Sequence, residues 1–320
     1  MAVIETEGLT KRFGALAAVA DLDLAVEGGE IFGFLGPNGA GKTTTTRLLL
    51  DALRPTCGVA RVLGGSGRDP EIRRRIGVLP ADLHFDPRLT GRELFAYVGR
   101  LRGEDRSSAV DQLCERFDLD PDRRIDELST GNRRKVGIVV AFAHDPELLV
   151  LDEPTSGLDP IMQEEFHDLV RERNAMGTTV FLSSHVLAEV QEMADRVGLI
   201  GDGRLLDVRT VAELLGHGRQ HLVVELPEPP PPDAFAAVPG VSEVVVEGSV
   251  VRLVVDGEVH PALARAADLR TLRITSHEPD LEAVFLARYR PESPHGDPVE
   301  GGAGAAGVAG DEGDASGVSS

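Results

Sequence analysis

The sequence predicts an α/β fold: a mostly parallel sheet with helices on both faces, interrupted by a helical insertion and followed by a small α+β domain. Three observations carry this. Short apolar runs alternate with amphipathic stretches over the first 210 or so residues, the pattern of successive βαβ units. A glycine-rich turn joins one of those runs to a helix. A proline-crowded segment then marks a change of character.

Ile31 to Leu35 reads as a buried strand, Gly36 to Gly41 as a turn, and Lys42 to Leu53 as a helix stopped before Pro55. Leu148 to Asp152 and Thr178 to Ser183 read as further buried strands, with the helix Pro160 to Ala175 crossing between them. From about 85 to 145 the apolar residues recur at helical spacing, in Arg92 to Leu101, Ser107 to Phe117 and Ser129 to His144, without a strand signal. This is the insertion. Pro227 and Pro229 to Pro232 follow a boundary placed near Gly216, giving domains at 1–216 and 217–290. The second reads as strand His221 to Glu225, helix Asp233 to Val238, hairpin Val241 to Val255, helix Pro261 to Ala267, strand Leu272 to Thr275 and helix Glu278 to Tyr289. That order is ferredoxin-like. Residues 291–320 are rich in Gly, Ala, Ser and acid, the composition of a disordered tail.

Composition narrows the function classes. Hydrophobic residues at 42% and charged residues at 27% suit a packed globular chain. Lys+Arg of 33 against Asp+Glu of 53 gives −20, which disfavours a nucleic-acid surface. Apolar runs such as Val136 to Phe142 fall far short of the roughly 20 residues a membrane span needs. Glu5 and Glu7 stand where a signal peptide carries basic residues. A cytoplasmic location is expected. Cys57 and Cys114 lack metal-ligand spacing and are expected to be free thiols.

Gly36-Pro37-Asn38-Gly39-Ala40-Gly41-Lys42-Thr43 fits the phosphate-loop pattern, with Thr44 beside it. A strand precedes it and a helix follows, so backbone N–H groups and a helix N-terminus converge on phosphate oxygens. Lys42 is placed to reach the β and γ phosphates, and the Thr43 hydroxyl to ligate Mg2+. The strand Leu148 to Leu151 ends in Asp152-Glu153, at the sheet edge where ligands of open α/β folds bind. Asp152 is suited to hold Mg2+ and Glu153 to act as general base on the attacking water.

Leu128-Ser129-Thr130-Gly131-Asn132 resembles the signature loop of ABC ATPases, Ser156-Gly157-Leu158-Asp159 resembles their D-loop, and His185 sits where that family has its switch histidine. These elements follow the phosphate loop in the family's order. The resemblance implies a P-loop NTPase fold of ABC type, ATP and Mg2+ as cofactors, and catalysis by Glu153, His185 and Lys42. It further implies adenine stacking on Phe13, and a head-to-tail homodimer in which Ser129, Gly131 and Asp159 meet the nucleotide held by the other subunit. A separate integral membrane permease is implied as partner, with this chain peripheral on the inner face of the cell membrane. Gln163-Glu164-Glu165-Phe166, Ser183 to Leu187 and Glu278 to Phe285 resemble the ATPase subunits of drug and antibiotic exporters. The family usually has a glutamine after the strand Ile76 to Pro80; here stands Ala81, followed by Asp82, so either Asp82 substitutes as metal ligand or a water fills the gap. Ala81 also leaves open a second class, a nucleotide-sensing module with little catalysis.

Overall fold

A computed structural model describes residues 1–215, 219–231 and 233–277. Two long strands, β1 (Ala2–Phe13) and β2 (Leu16–Glu27), open the chain. They are followed by β3 (Ile31–Leu35), α1 (Lys42–Leu49), β4 (Cys57–Val62), α2 (Pro70–Arg74) and β5 (Ile76–Leu79). Three helices make the insertion: α3 (Gly91–Arg102), α4 (Ser107–Arg116) and α5 (Thr130–Phe142). Then come β6 (Leu148–Asp152), α6 (Pro160–Ala175), β7 (Thr179–Ser184), α7 (Leu187–Met193), β8 (Arg196–Gly201), β9 (Arg204–Thr210) and α8 (Val211–Leu215).

The main sheet runs β5-β6-β7-β3-β8-β9. All its pairings are parallel except that of β8 with β9. β3, β6 and β7 are buried at every position, because a parallel strand covered on both faces is apolar throughout. Phe34 and Phe181 meet across β3 and β7 at 5.4 Å, while Phe142 of α5 packs edge-on against Phe166 of α6 at 6.0 Å. These contacts fix the heights of the strand ends that carry the site.

A second sheet, antiparallel and ordered β2-β1-β4, has no counterpart in the sequence reading. Its signal was nonetheless present, since Ile4, Thr6 and Leu9 in β1 and Leu22, Leu24 and Val26 in β2 are buried at near-alternate positions. Helix α1 ends at Leu49, earlier than the expected Leu53, because Asp51 adopts a left-handed φ of 50° before Pro55 is reached.

Beyond the main sheet, β10 (Arg219–Glu225), β11 (Val241–Glu247), β12 (Val250–Asp256), α9 (His260–Asp268) and β13 (Arg273–His277) form an antiparallel sheet in the order β11-β12-β10-β13. This is the ferredoxin-like order the sequence anticipated. The expected helix Asp233 to Val238 is a run of turns with i→i+3 bonds, Ala234 N–H to Pro231 O, Ala236 N–H to Asp233 O and Val238 N–H to Phe235 O. Pro239 closes the segment and pushes Val238 before it away from helical backbone, so the turns do not extend into a helix. Phe235 is fully buried all the same, with Leu222, Val224, Val251, Leu253 and Ala262. The described residues fall within one compact unit, so the boundary near Gly216 is retained as a proposal. The expected helix Glu278 to Tyr289 and the tail 291–320 lie outside the described residues.

Both cysteines are free thiols. Cys114 is buried, and burial pushes its thiol up to about 11; Cys57 is exposed. An aromatic disulfide reagent at neutral pH is expected to modify Cys57 rapidly and Cys114 only on unfolding, as the thiolate is the reactive form. Two fast equivalents in the native protein would contradict that assignment.

Candidate active site

The loop between β3 and α1 is shaped by two glycine requirements. Gly41 has φ 110°, which only glycine adopts without strain, and a Cβ there would lie 2.5 Å from the Ala18 carbonyl of β2. The antiparallel sheet therefore abuts the loop. Gly41 is the N-cap of α1 and supplies no side-chain cap, and the first turn of α1 has no acidic residue. The N-terminal N–H groups of α1 are thus left to an anion, as a phosphate requires. Asn38 and Gly39 form the exposed crest, while Gly36, Ala40 and Gly41 are buried and Pro37 lies between the two. Thr43 and Thr44 are half-buried at the helix start.

Lys42 is buried, and its ammonium donates to Gly36 O at 2.7 Å and Pro37 O at 3.3 Å. It also lies 3.4 Å from Glu153 Oε1. The other oxygen of Glu153 meets His185 Nδ1 at 2.6 Å; since a carboxylate can only accept, the ring N–H donates. One carboxylate thus links the loop lysine to the histidine after β7. Glu153 holds a φ of 49°, an uncommon conformation for a residue with a Cβ, and its N–H is tied to Ser183 O at 2.9 Å. That backbone turn aims the side chain out of the sheet. The preceding Asp152 is 1% exposed and accepts a short hydrogen bond from Ser183 Oγ on the neighbouring strand. The buried Asp152 carboxylate and the half-buried Thr43 hydroxyl at the start of α1 are hard oxygen donors of the kind Mg2+ takes.

Arg134, which the sequence reading passed over, connects these parts. It is 3% exposed, and its guanidinium donates to the carbonyls of Asp152 at 2.8 Å, Pro154 at 2.8 Å, Pro80 at 2.6 Å and Ala81 at 3.2 Å, with a further short bond to Glu153 O. Burial pushes its pKa down to about 10, countered by the Asp152 and Glu153 carboxylates, so it stays charged at neutral pH. Arg134→Leu strips the donors from five carbonyls. It is expected to destabilise the fold by about 3 kcal/mol, read from urea unfolding midpoints; an unchanged midpoint would show the carbonyls are satisfied otherwise.

Ser129 is the N-cap of α5, its Oγ accepting from Asn132 N at 3.2 Å. Gly131 faces Gly157, where a Cβ would come 2.7 Å from the Gly157 carbonyl. The two loops singled out in the sequence are therefore in contact within one chain. Asp159 caps α6 by accepting from Met162 N at 3.1 Å. Phe13 stands 52% exposed at the end of β1, with Lys11 Nζ 5.1 Å over its ring, and so is no core residue. Asp82 is exposed and pairs with Arg47 of α1 at 3.7 Å. The structure thus gathers Lys42, Asp152, Glu153 and His185, groups Gly131 with Gly157 of the D-loop, and sets Asp82 beside Arg47 of α1.

A phosphate loop facing an Asp-Glu strand end defines a P-loop nucleoside triphosphatase. The family model of ABC transporters matches residues 19–156. The bacitracin transport ATP-binding protein BcrA of Bacillus licheniformis is 39% identical over 232 residues, 70% of this chain and 75% of that protein. The Nod factor export ATP-binding protein I of Paraburkholderia xenovorans is 35% identical over 297 residues, 89% of this chain and 96% of that one. A solved ATP-binding subunit of an ABC transporter superposes with a TM-score of 0.63 at 26% identity, covering 66% of this chain and 91% of that one. The chain belongs to the ABC transporter family, as an ATP-binding subunit with the ATPase cassette fold.

Proposed function

We propose that this chain powers export through a separate membrane permease, closing as a head-to-tail dimer on two ATP molecules. The carrying observation is the Lys42–Glu153–His185 chain of contacts, which joins a phosphate-binding cation to a base and a histidine. Thr43 and Asp152 would hold Mg2+, whose charge offsets that of the β and γ phosphates. Lys42 and the N-terminal N–H groups of α1 bind and orient the triphosphate, Glu153 takes the proton of the attacking water, and His185 holds the γ-phosphate end. Phe13, exposed at the end of β1, is available to stack on adenine. Asp82, which pairs with Arg47, would be a further metal ligand in place of the glutamine that Ala81 replaces.

Dimer formation is supported by Ser129. It stands exposed with Thr130 at the start of α5, so the signature loop is open to a nucleotide held by a second copy. Asp159, capping α6 beside that loop, is placed to face the same nucleotide. The permease reading is supported by the insertion: Tyr97 and Leu101 of α3 are exposed side chains, and a cavity of about 590 Å³ in the insertion is lined by Phe95, Val98, Val110 and Val139. Among the described residues no helix is long and apolar enough to cross a membrane, so the reading places the chain at the inner membrane face through that partner. Export follows from the names of the relatives, which transport bacitracin or export Nod factor.

Size-exclusion chromatography of Glu153→Gln with and without ATP and Mg2+ tests the dimer. A shift from monomer to dimer only with nucleotide is expected. A monomer under both conditions, at nucleotide concentrations shown to saturate binding, would remove the head-to-tail reading.

A further inference from the structure

We infer that α6 and α7 carry a binding site for a divalent transition-metal ion of the zinc type, built from Glu164, His167 and Glu192. Glu164 and His167 stand three residues apart on α6 and so share a face. One ligand atom each from Glu164, His167 and Glu192 lies within 4.8 Å of the others. His167 Nδ1 is 3.5 Å from Glu192 Oε2. Around an ion with bonds of about 2.0–2.2 Å in tetrahedral array, neighbouring ligand atoms stand ~3.4 Å apart. The pair already has that separation.

The second observation is independent of the carboxylates. The His167 side chain is 7% exposed, yet neither ring nitrogen has a hydrogen-bond partner. Imidazoles buried in proteins are normally satisfied. Behind the ring, Glu189 is equally buried, its Oε1 also lacks a partner, and it lies 3.9 Å from His167 Nε2. Glu189 Oε2 accepts from Ser184 Oγ at 2.6 Å, which holds the carboxylate in place. An ion on Nδ1 accounts for all three orphaned atoms: Nδ1 becomes a ligand, and the Nε2–H turns to Glu189 Oε1. That is the carboxylate–histidine–metal arrangement by which proteins fix a ligating imidazole.

The neighbouring cation does not close the site. Arg171 takes Glu192 Oε1 and Asp168 Oδ1, leaving Glu192 Oε2 toward His167. Glu164 and Glu192 are exposed and give an ion its way in. A nitrogen with two carboxylates favours zinc-type ions over Mg2+ or Ca2+, which take oxygen alone. No residue here belongs to the phosphate loop or to the Asp152–Glu153 strand end.

Co2+ alone, added to the untagged full chain without nucleotide, is the probe, since its visible absorption reports four- or five-fold coordination. The expected result is one equivalent of Co2+ with such bands, displaced by Zn2+. The bands vanish in His167→Gln and affinity falls at least about tenfold in Glu164→Gln, a surface change that leaves the fold intact. They persist in Asp152→Asn and in His185→Gln. Any of three outcomes overturns the proposal: a folded wild type that takes up no Co2+, His167 then serving as an ion-pair partner of the glutamates; uptake unaltered in both His167→Gln and Glu164→Gln; or uptake lost in Asp152→Asn.

Discussion

Glu153→Gln lowers the ATPase turnover number by about 10³-fold and leaves ATP bound, the effect expected when a general base is lost and the binding groups remain. Glutamine keeps the shape of the side chain and can still accept from His185 Nδ1–H through its amide oxygen. What it lacks is the proton affinity to accept a proton from water. The backbone is not put at risk, because the left-handed φ of 49° at this position strains glutamate and glutamine alike. Filter binding with labelled ATP, followed over time, measures both halves of the expectation. Equal turnover in wild type and variant would show that another group is the base.

Lys42→Ala produces the opposite separation, with binding lost before chemistry is reached. The ammonium is the buried cation in contact with Glu153, and in the proposed complex it exchanges the carbonyls of Gly36 and Pro37 for phosphate oxygens. Charge-assisted bonds to two phosphates are worth about 3–4 kcal/mol together, so ATP affinity falls by roughly 10²–10³-fold. A fluorescent ATP analogue titrated against folded variant and wild type gives the ratio. Unchanged affinity would place the phosphates elsewhere.

The parts of the site legible in the sequence are those in which local backbone geometry dictates residue type. Gly41 must be glycine because of its φ and the Ala18 carbonyl, and a strand ending in two acids is a pattern of neighbours along the chain. Arg134 was not legible. A basic residue four positions into a helix that also carries Arg133 and Lys135 reads as a solvated face, and its burial exists only once β5, β6 and α5 have met. The β2-β1-β4 sheet was missed for a different reason: its alternation was visible, but parallel βαβ order was taken to begin at the first residue. His167 and Glu189 come from two helices whose approach no spacing announces. Asp159 caps α6, a role legible in an acid placed directly before Pro160, a common helix start.

The attachment of Arg134 gives α5 a mechanical character. Its 13 residues make a rod about 20 Å long. Pivoting such a rod by about 3° at the Phe142 end carries Ser129 through roughly 1 Å, a displacement that can cost 10²-fold in rate where reacting groups must align. Because the guanidinium clasps the carbonyls of Ala81 on one side and of Asp152 and Glu153 on the other, the same few degrees pull on both. Any displacement of α5 would therefore be felt at Ala81, Asp152 and Glu153 together, because one guanidinium holds all three.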